Sequence, residues 1–355
     1  MGKLNLPLFF PDATRAVVRA VDSVDIKNTK TPGILVNTYH LWQDLGKQVI
    51  QKHGNIREFM DWDGAVISDS GGFQIMTLAK AHGKRGKVTD QGVTFQYSKK
   101  KKIFFTPEDS IRFQMLLQTD LLVVLDDFTP PGAGRKTAKE TVERTVLWAK
   151  RCKDEFEKIC DQKKIPREKR PYLIAVVQGG DFLDLRRQCA ERLAEIGFDG
   201  FGYGGWPMKT DGTFNYDVAQ TIADSAPKGS LLYGLGVGKP DEIAGCVELG
   251  YHIFDCVLPT RDARHKRLYV YQADSIDKIN LSQPKFYSYY VPGKEKYYQD
   301  TRPVSSACDC LCCTNYSRAY LAHLFRIKET TALRLATIHN LRFYSLLIEK
   351  LRAED

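Results

Sequence analysis

The stretch AVISDSGGFQIM, residues 65 to 76, decides how the rest of the chain is read. Ala65, Val66 and Ile67 form a short apolar run of the kind that makes a buried strand. A carboxylate, Asp69, and two glycines, Gly71 and Gly72, stand where that strand would end. Asp tolerates tight backbone geometry and Gly accepts positive φ without steric cost, so a turn is expected. A turn at the carboxyl end of a buried strand is where α/β enzymes keep their chemistry. Phe73, just past the turn, is placed either to stack on a flat ligand or to fill core.

Outward from this stretch, similar runs recur: GILVN (33–37), LLVVL (121–125), YLIAVV (172–177), FDGFGY (198–203), LLYGLG (231–236) and YHIFDC (251–256). Continuous apolar strands alternating with helical-pattern segments imply a parallel sheet covered on both faces. Thr106-Pro107-Glu108 supplies an N-cap, a Pro at the first helical position and an early acid before one such helix. Seven candidate strands fit an eight-stranded barrel better than an open sheet. The segment LPLFF (6–10) either caps that barrel or belongs to it. From about 270 to 307 the pattern lapses into Tyr, Lys, Ser and Pro and reads as an insertion or long surface loop. The charge run Lys99 to Lys102 reads as a solvated loop.

The 355 residues carry 52 Lys and Arg against 43 Asp and Glu, and the excess of +9 suggests a polyanionic partner. The N-terminal apolar stretch is too short for a secretory signal, and Leu6 breaks the myristoylation pattern. No run approaches the roughly 20 apolar residues of a membrane span. A cytoplasmic protein without membrane contact is expected, and there clustered thiols are metal ligands rather than disulfides. CDCLCC brings together Cys308, Cys310, Cys312 and Cys313, and His339 follows on a helix. Thiolates with one imidazole make a closed, structural zinc site. One thiol is surplus, so Cys312 reads as a free cysteine, and His323 as a surface or interface residue. Cys152, Cys160, Cys189, Cys246 and Cys256 lack ligand spacing and read as core.

The expected fold is therefore α/β, a (β/α)8 TIM barrel over residues 1–270. A loop region over 271–307 and a zinc-binding subdomain with terminal helices over 308–355 would follow it. Polar residues follow nearly every strand: Asp69, Asp126 and Asp127, Gln178 to Gly180, Gly204 and Gly205, Gly236 to Gly238, and Asp255. Alone, each reads as a turn or cap; on one barrel rim they converge on one pocket. Two rim carboxylates can divide the roles of nucleophile and acid/base, as in retaining glycosyl transfer.

NTYHL (37–41), SDSGGFQ (68–74), VVQGG (176–180), FDGFGYGG (198–205), GVGKPDE (236–242), FDCVLPTRDAR (254–264) and CDCLCCTNYSRAYL with TIHNLRFY run through nearly the whole chain. In this order they resemble the tRNA-guanine transglycosylases of bacterial type. The resemblance implies exchange of guanine at the anticodon wobble position for a 7-deazaguanine base, in queuosine biosynthesis. Its partners would be a tRNA with a G-U-N anticodon and a second copy of the chain, with Tyr316, Tyr320 and His323 at the homodimer interface. Asp255 would be the nucleophile and Asp69 the acid/base. Asp126, Gln178 and the Gly205 backbone would read the base edge, with Phe73 and Leu235 on its faces and Arg261 and Arg264 on the RNA. Cys308, Cys310, Cys313 and His339 would bind zinc.

Three stretches depart from the family pattern. Asp126-Asp127-Phe128 replaces Asp-Glu-Cys, Trp206-Pro207-Met208-Lys209-Thr210 replaces a loop of small residues, and the segment before the cysteines is longer. The bulky loop favours the compact 7-aminomethyl-7-deazaguanine as substrate, with queuine salvage as the alternative. A non-catalytic tRNA-binding partner subunit of the same fold is a further alternative, against which both Asp69 and Asp255 stand. An archaeal-type relative would be expected to carry an additional C-terminal RNA-binding domain after the position of Asp355, and a DNA-modifying relative fits less well because PTRDAR and NYSRAYL are retained.

Overall fold

The computed structural model describes residues 5–81, 86–98 and 101–354. Thirteen strands are present among them: β1 Leu8–Pro11, β2 Gly33–Asn37, β3 Ala65–Asp69, β4 Lys87–Thr89, β5 Gly92–Ser98, β6 Lys101–Phe105, β7 Leu121–Val123, β8 Tyr172–Val177, β9 Gly200–Tyr203, β10 Leu231–Gly234, β11 Ile253–Cys256, β12 Leu268–Tyr271 and β13 Tyr287–Tyr290. Eight form one sheet in the order β1-β11-β10-β9-β8-β7-β3-β2, every pair parallel. A parallel bridge between Asp12 and Leu35 joins its two edges. The Ala13 amide donates to the Leu35 carbonyl there at 2.7 Å, so the sheet closes into a barrel. LPLFF thus supplies the eighth strand, β1, rather than a cap.

Barrel strands turn alternate residues inward. The lumen is filled by Leu8, Phe10, Leu35, Ile67, Leu121, Val123, Ile174, Val176, Tyr233 and Ile253. It is a packed core, so chemistry is confined to the rims. Gly33 on β2 is required by this packing, because a Cβ there would stand 2.2 Å from the Phe10 ring. Helices cover the outside. In helix Pro107–Leu117 the expected start is present, with Thr106 and Asp109 forming a reciprocal capping box.

Two expectations are corrected. Lys99 and Lys100 lie outside the described residues, but Lys101 and Lys102 are not in a loop: they open β6, which completes a three-stranded antiparallel sheet with β4 and β5. That sheet buries Val93, Phe95 and Phe105 against the barrel while Lys102 stays in water. The tyrosine-rich segment after residue 270 is likewise not featureless, since β12 and β13 pair antiparallel. Tyrosine conceals the period because its ring buries while its hydroxyl finds an acceptor. Tyr271 stacks on Phe343 at 4.1 Å and donates to the Phe343 carbonyl at 2.8 Å, and the buried Tyr290 donates to the Arg318 carbonyl at 2.7 Å. Finally, helix Thr330–Glu354 lies against the barrel, where Tyr344 donates to the Gly238 carbonyl at 2.6 Å and Arg352 to the Pro7 carbonyl at 2.8 Å.

Candidate active site

A pocket of about 610 Å³ opens at the carboxyl-terminal rim of the barrel. Around the ring, β11 brings Asp255, the seam after β1 brings Asp12, and β2 and β3 bring Asn37 and Asp69. On the far side Asp126 follows β7, Gly204 and Gly205 follow β9, and Leu235 follows β10. Phe73 and Arg261 also line the space. Gln178 lies fully buried, behind Asp126. Arg264 does not line the pocket, and its Nη1 is buried without a hydrogen-bond partner. A larger groove, about 850 Å³, lies at the opposite rim, where carboxylates such as Asp120 and Glu157 are engaged in ion pairs with Arg57 and Arg170.

The turn after β3 works as its sequence requires. Gly71 has φ +79°, and a Cβ there would press on the Tyr39 backbone at 2.8 Å. This geometry aims backbone amides of Ser70 and Gly71 at the Asp69 carboxylate, to which Asn37 Nδ2 also donates at 2.6 Å. Asn37 further holds Gln74 at 3.0 Å. Burial nevertheless raises the Asp69 carboxyl above the usual range. Phe73 is 48% exposed and meets Phe128 edge to face at 5.0 Å, so the Phe128 departure builds the wall beside it.

Asp255 Oδ1 accepts from the Tyr233 hydroxyl at 2.7 Å and from the Gly236 amide at 3.1 Å. Burial pushes its carboxyl up to about 7 against those two donors, and the neighbouring Asp69 charge adds to the rise. Asp126 accepts from Gln178 Nε2 at 2.6 Å and is likewise pushed up to about 7, chiefly by burial. Gln178 is itself oriented, because its Oε1 accepts from the Thr129 amide at 3.1 Å. Three carboxyl groups thus share one partly desolvated space, and near neutral pH they hold protons jointly rather than all ionising. Asp127 turns away into a buried ion pair with Arg144.

At the other end of the chain, Cys308, Cys310, Cys313 and His339 present ligand atoms within 4.8 Å of one another. The His339 Nδ1 to sulfur separations are 3.7, 3.7 and 3.2 Å. Ligands of one tetrahedral zinc are about 3.5 Å apart, so the four fit a shared metal ion. His339 Nε2 lies 2.6 Å from the Tyr269 carbonyl, which assigns the proton to Nε2 and leaves Nδ1 free to ligate. Cys312 is buried in the core outside this group, as are the five scattered cysteines. His323 is exposed, on the same helix as Tyr320, which stacks on Tyr316 at 5.1 Å.

A model of a family described as queuine tRNA-ribosyltransferase matches residues 1–354. Queuine tRNA-ribosyltransferases of Staphylococcus aureus strains JH9 and JH1 are each 36% identical over 352 residues, 99% of this chain and 86% of theirs. The chain belongs to the queuine tRNA-ribosyltransferase family. It is an enzyme, a pentosyltransferase. Among the described residues no helix is long and apolar enough to cross a membrane.

Several residues that line the pocket or hold its walls give little sign of themselves in the sequence. Asn37 opens the motif NTYHL and Tyr233 sits in the apolar run LLYGLG, and both read as strand residues. Arg186 reads as one of many charged positions on a solvated helix. In the structure it is 1% exposed and spans two rim loops, donating to the carbonyls of Gly180 at 2.8 Å, Val177 at 2.5 Å and Gly204 at 2.7 Å. The loop after Gly205 turns back on itself, with Met208 bridged to Phe214 and Lys209 paired with Asp217 at 2.8 Å, away from the pocket.

The raised Asp126 carboxyl has a consequence for stability. In the fold it keeps its proton up to about pH 7, against an ordinary value of 3.8, so stability is lost as pH rises from about 4 to 7. Asp126→Asn keeps an acceptor for Gln178 and removes the charge. It should stabilise the protein by up to about 4 kcal/mol at pH 8 and change it little at pH 4, read from denaturant midpoints. A pH-independent difference would show that Asp126 is ionised in the native pocket.

Proposed function

We propose that the enzyme exchanges guanine at the wobble position of a G-U-N anticodon for a 7-deazaguanine base, in queuosine biosynthesis. The observation that carries this reading is the arrangement of Asp255 and Asp69 on one pocket, with Asp255 oriented by Tyr233 and Gly236. Asp255 attacks C1′ of the ribose; the new ester bond forms as the bond from C1′ to the guanine nitrogen breaks. Asp69 supplies a proton to the departing base and takes one from the incoming base. The incoming nitrogen then displaces the Asp255 carboxylate, and two inversions give net retention. Asp126, Gln178 and the Gly205 backbone read the base edge, while Phe73 and Leu235 flank its faces. Arg261 and Arg264 contact the neighbouring nucleotides, and the excess of basic residues serves the phosphates.

The entering base in this reading is 7-aminomethyl-7-deazaguanine. Trp206, Pro207 and Met208 line the pocket where the family has small residues, and this leaves less room for the queuine ring system. Lys209, engaged by Asp217, does not oppose an ammonium group. The test is mass spectrometry of nucleosides from tRNA incubated with the full chain and each base. The compact base should enter far faster; efficient entry of queuine would overturn this assignment. In the same assay Asp255→Asn should abolish exchange while tRNA binding persists, and near-normal exchange would exclude Asp255 as nucleophile.

The reading also places a structural zinc on Cys308, Cys310, Cys313 and His339, a homodimer at the Tyr316 and Tyr320 face, and the protein in the cytoplasm. All nine cysteines are free of disulfides, which agrees with a reducing compartment. Cys310→Ser should lose the zinc and lower the thermal midpoint, because metal binding energy is folding energy in such sites. Cys312→Ser should keep one zinc per chain by elemental analysis. Retention by Cys310→Ser together with loss by Cys312→Ser would show the wrong thiol assigned.

A further inference from the structure

We propose that Asp12 accepts a hydrogen bond from the 2′-hydroxyl of the nucleotide whose base is exchanged, and so makes the pocket selective for ribose over deoxyribose. The inference rests on the transglycosylase reading above and concerns how that site chooses its sugar. Asp12 lies at the seam. β11, with Asp255, pairs with β1 through Phe10 and Pro11, and the next residue along β1 is Asp12, which bridges to Leu35 on β2. β2 ends in Asn37, the residue that holds Asp69. Asp12 therefore stands on the short arc between the nucleophile and the acid/base. The groups suited to a base edge, Asp126, Gln178 and Gly205, lie across the barrel on β7 to β9. With C1′ over Asp255 and its base directed to that far wall, the sugar is left against the seam. The carbon next to C1′ carries the 2′-hydroxyl.

The Asp12 carboxylate is prepared for such a partner. Both donors of Thr14, the backbone amide at 3.1 Å and the hydroxyl, fall on Oδ1. Oδ2 has no protein partner among the described residues, although Asp12 lines the pocket. A residue needed only to cap the turn at Thr14 could as well face solvent. Its negative charge also reaches Asp69 and Asp255, as a minor contribution to their raised carboxyls, which agrees with its place on the same pocket. The chemistry also fits: as positive charge grows at C1′ the 2′-hydroxyl becomes a better donor, and a hydrogen bond to it tightens in the transition state. The 2′-hydroxyl is also the group by which proteins tell RNA from DNA at a given nucleotide.

The experiment compares two anticodon stem-loop RNAs, identical except that one carries 2′-deoxyguanosine at the exchanged position. Guanine exchange is followed with radiolabelled guanine. Wild type should prefer the ribose substrate about tenfold or more in kcat/KM, of the order of one charge-assisted hydrogen bond. In Asp12→Ala the ribose substrate should lose about that factor and the deoxy substrate little, so that the preference falls toward one. Asp12→Asn keeps an acceptor for Thr14 and replaces the pocket oxygen with a donor; it should lower the preference even if the alanine variant folds poorly. An unchanged preference in Asp12→Asn, with both substrates slowed equally, would mean that Asp12 only shapes the turn and would overturn the proposal. So would the lack of any preference in wild type. Failure of wild type to exchange guanine on the all-ribose RNA would instead sink the transglycosylase reading.

Discussion

Closure of the barrel at the seam between β1 and β2 is the constraint on which the site depends. In an open sheet of the observed order, five strand spacings would separate the strands of Asp255 and Asp69, about 24 Å. Closing the seam leaves three spacings around a curved rim, and both side chains then face the same pocket. The closure itself is modest, resting on the bridge at Leu35 and the amide of Ala13. It is reinforced from within by Phe10 filling the space that Gly33 vacates. From outside, Tyr344 packs on Phe9 at 4.5 Å and Arg352 ties down the Pro7 carbonyl. The last helix of the chain is thus part of what assembles a site made by its first strand.

Bringing the carboxylates together has an electrostatic consequence. Each loses hydration, and each feels the others, so the pocket holds protons that isolated carboxylates would release. The protein offsets this with directed donors rather than with cations: the Tyr233 hydroxyl, the Gly236 amide, the Asn37 and Gln178 amide groups. Neutral donors stabilise a carboxylate without permanently neutralising it, which keeps both the charged and the protonated form within reach near pH 7. Arg186 is the buried cation close at hand, and its hydrogen bonds go to backbone carbonyls of the rim loops. Its charge is therefore used to fix the glycine-bearing turns around Gln178 and Gly205, not to quench the acids.

The barrel was legible because parallel strands buried on both faces leave continuous apolar runs, and seven of eight stood out on that basis. The eighth hid in LPLFFPDA, where two prolines and a terminal position weaken any strand signal. The carboxylates and glycines of the rim were legible because their places at strand ends coincide with motifs. What the sequence withheld were residues whose role is to hold another residue. Asn37, Tyr233 and Arg186 acquire meaning from partners 32, 22 and 18 positions away, and no local pattern encodes a pairing at such separations. The sheet of β12 and β13 was hidden for a different reason: tyrosines can be core by their rings while counting as polar by their hydroxyls.

The cysteine cluster is not remote from the chemistry, although it lies outside the barrel. His339 donates through Nε2 to the carbonyl of Tyr269, whose amide donates to the side chain of the next residue, Asn340, at 3.1 Å. The Asn340 amide nitrogen in turn donates to the carbonyls of Pro259 and Arg267, each at 3.0 Å. Pro259 lies in the first turn of the helix Leu258–Arg264 and Arg267 follows it; that helix carries Arg261 and starts two residues after the strand of Asp255. Two adjacent residues of one helix therefore grip the cysteine cluster and the segment beyond Asp255. Asn340 is fully buried, so its contacts cannot be exchanged for water without cost. An ion held by the cluster would fix His339 and Asn340 with it, and so would steady the helix that carries Arg261 to the pocket.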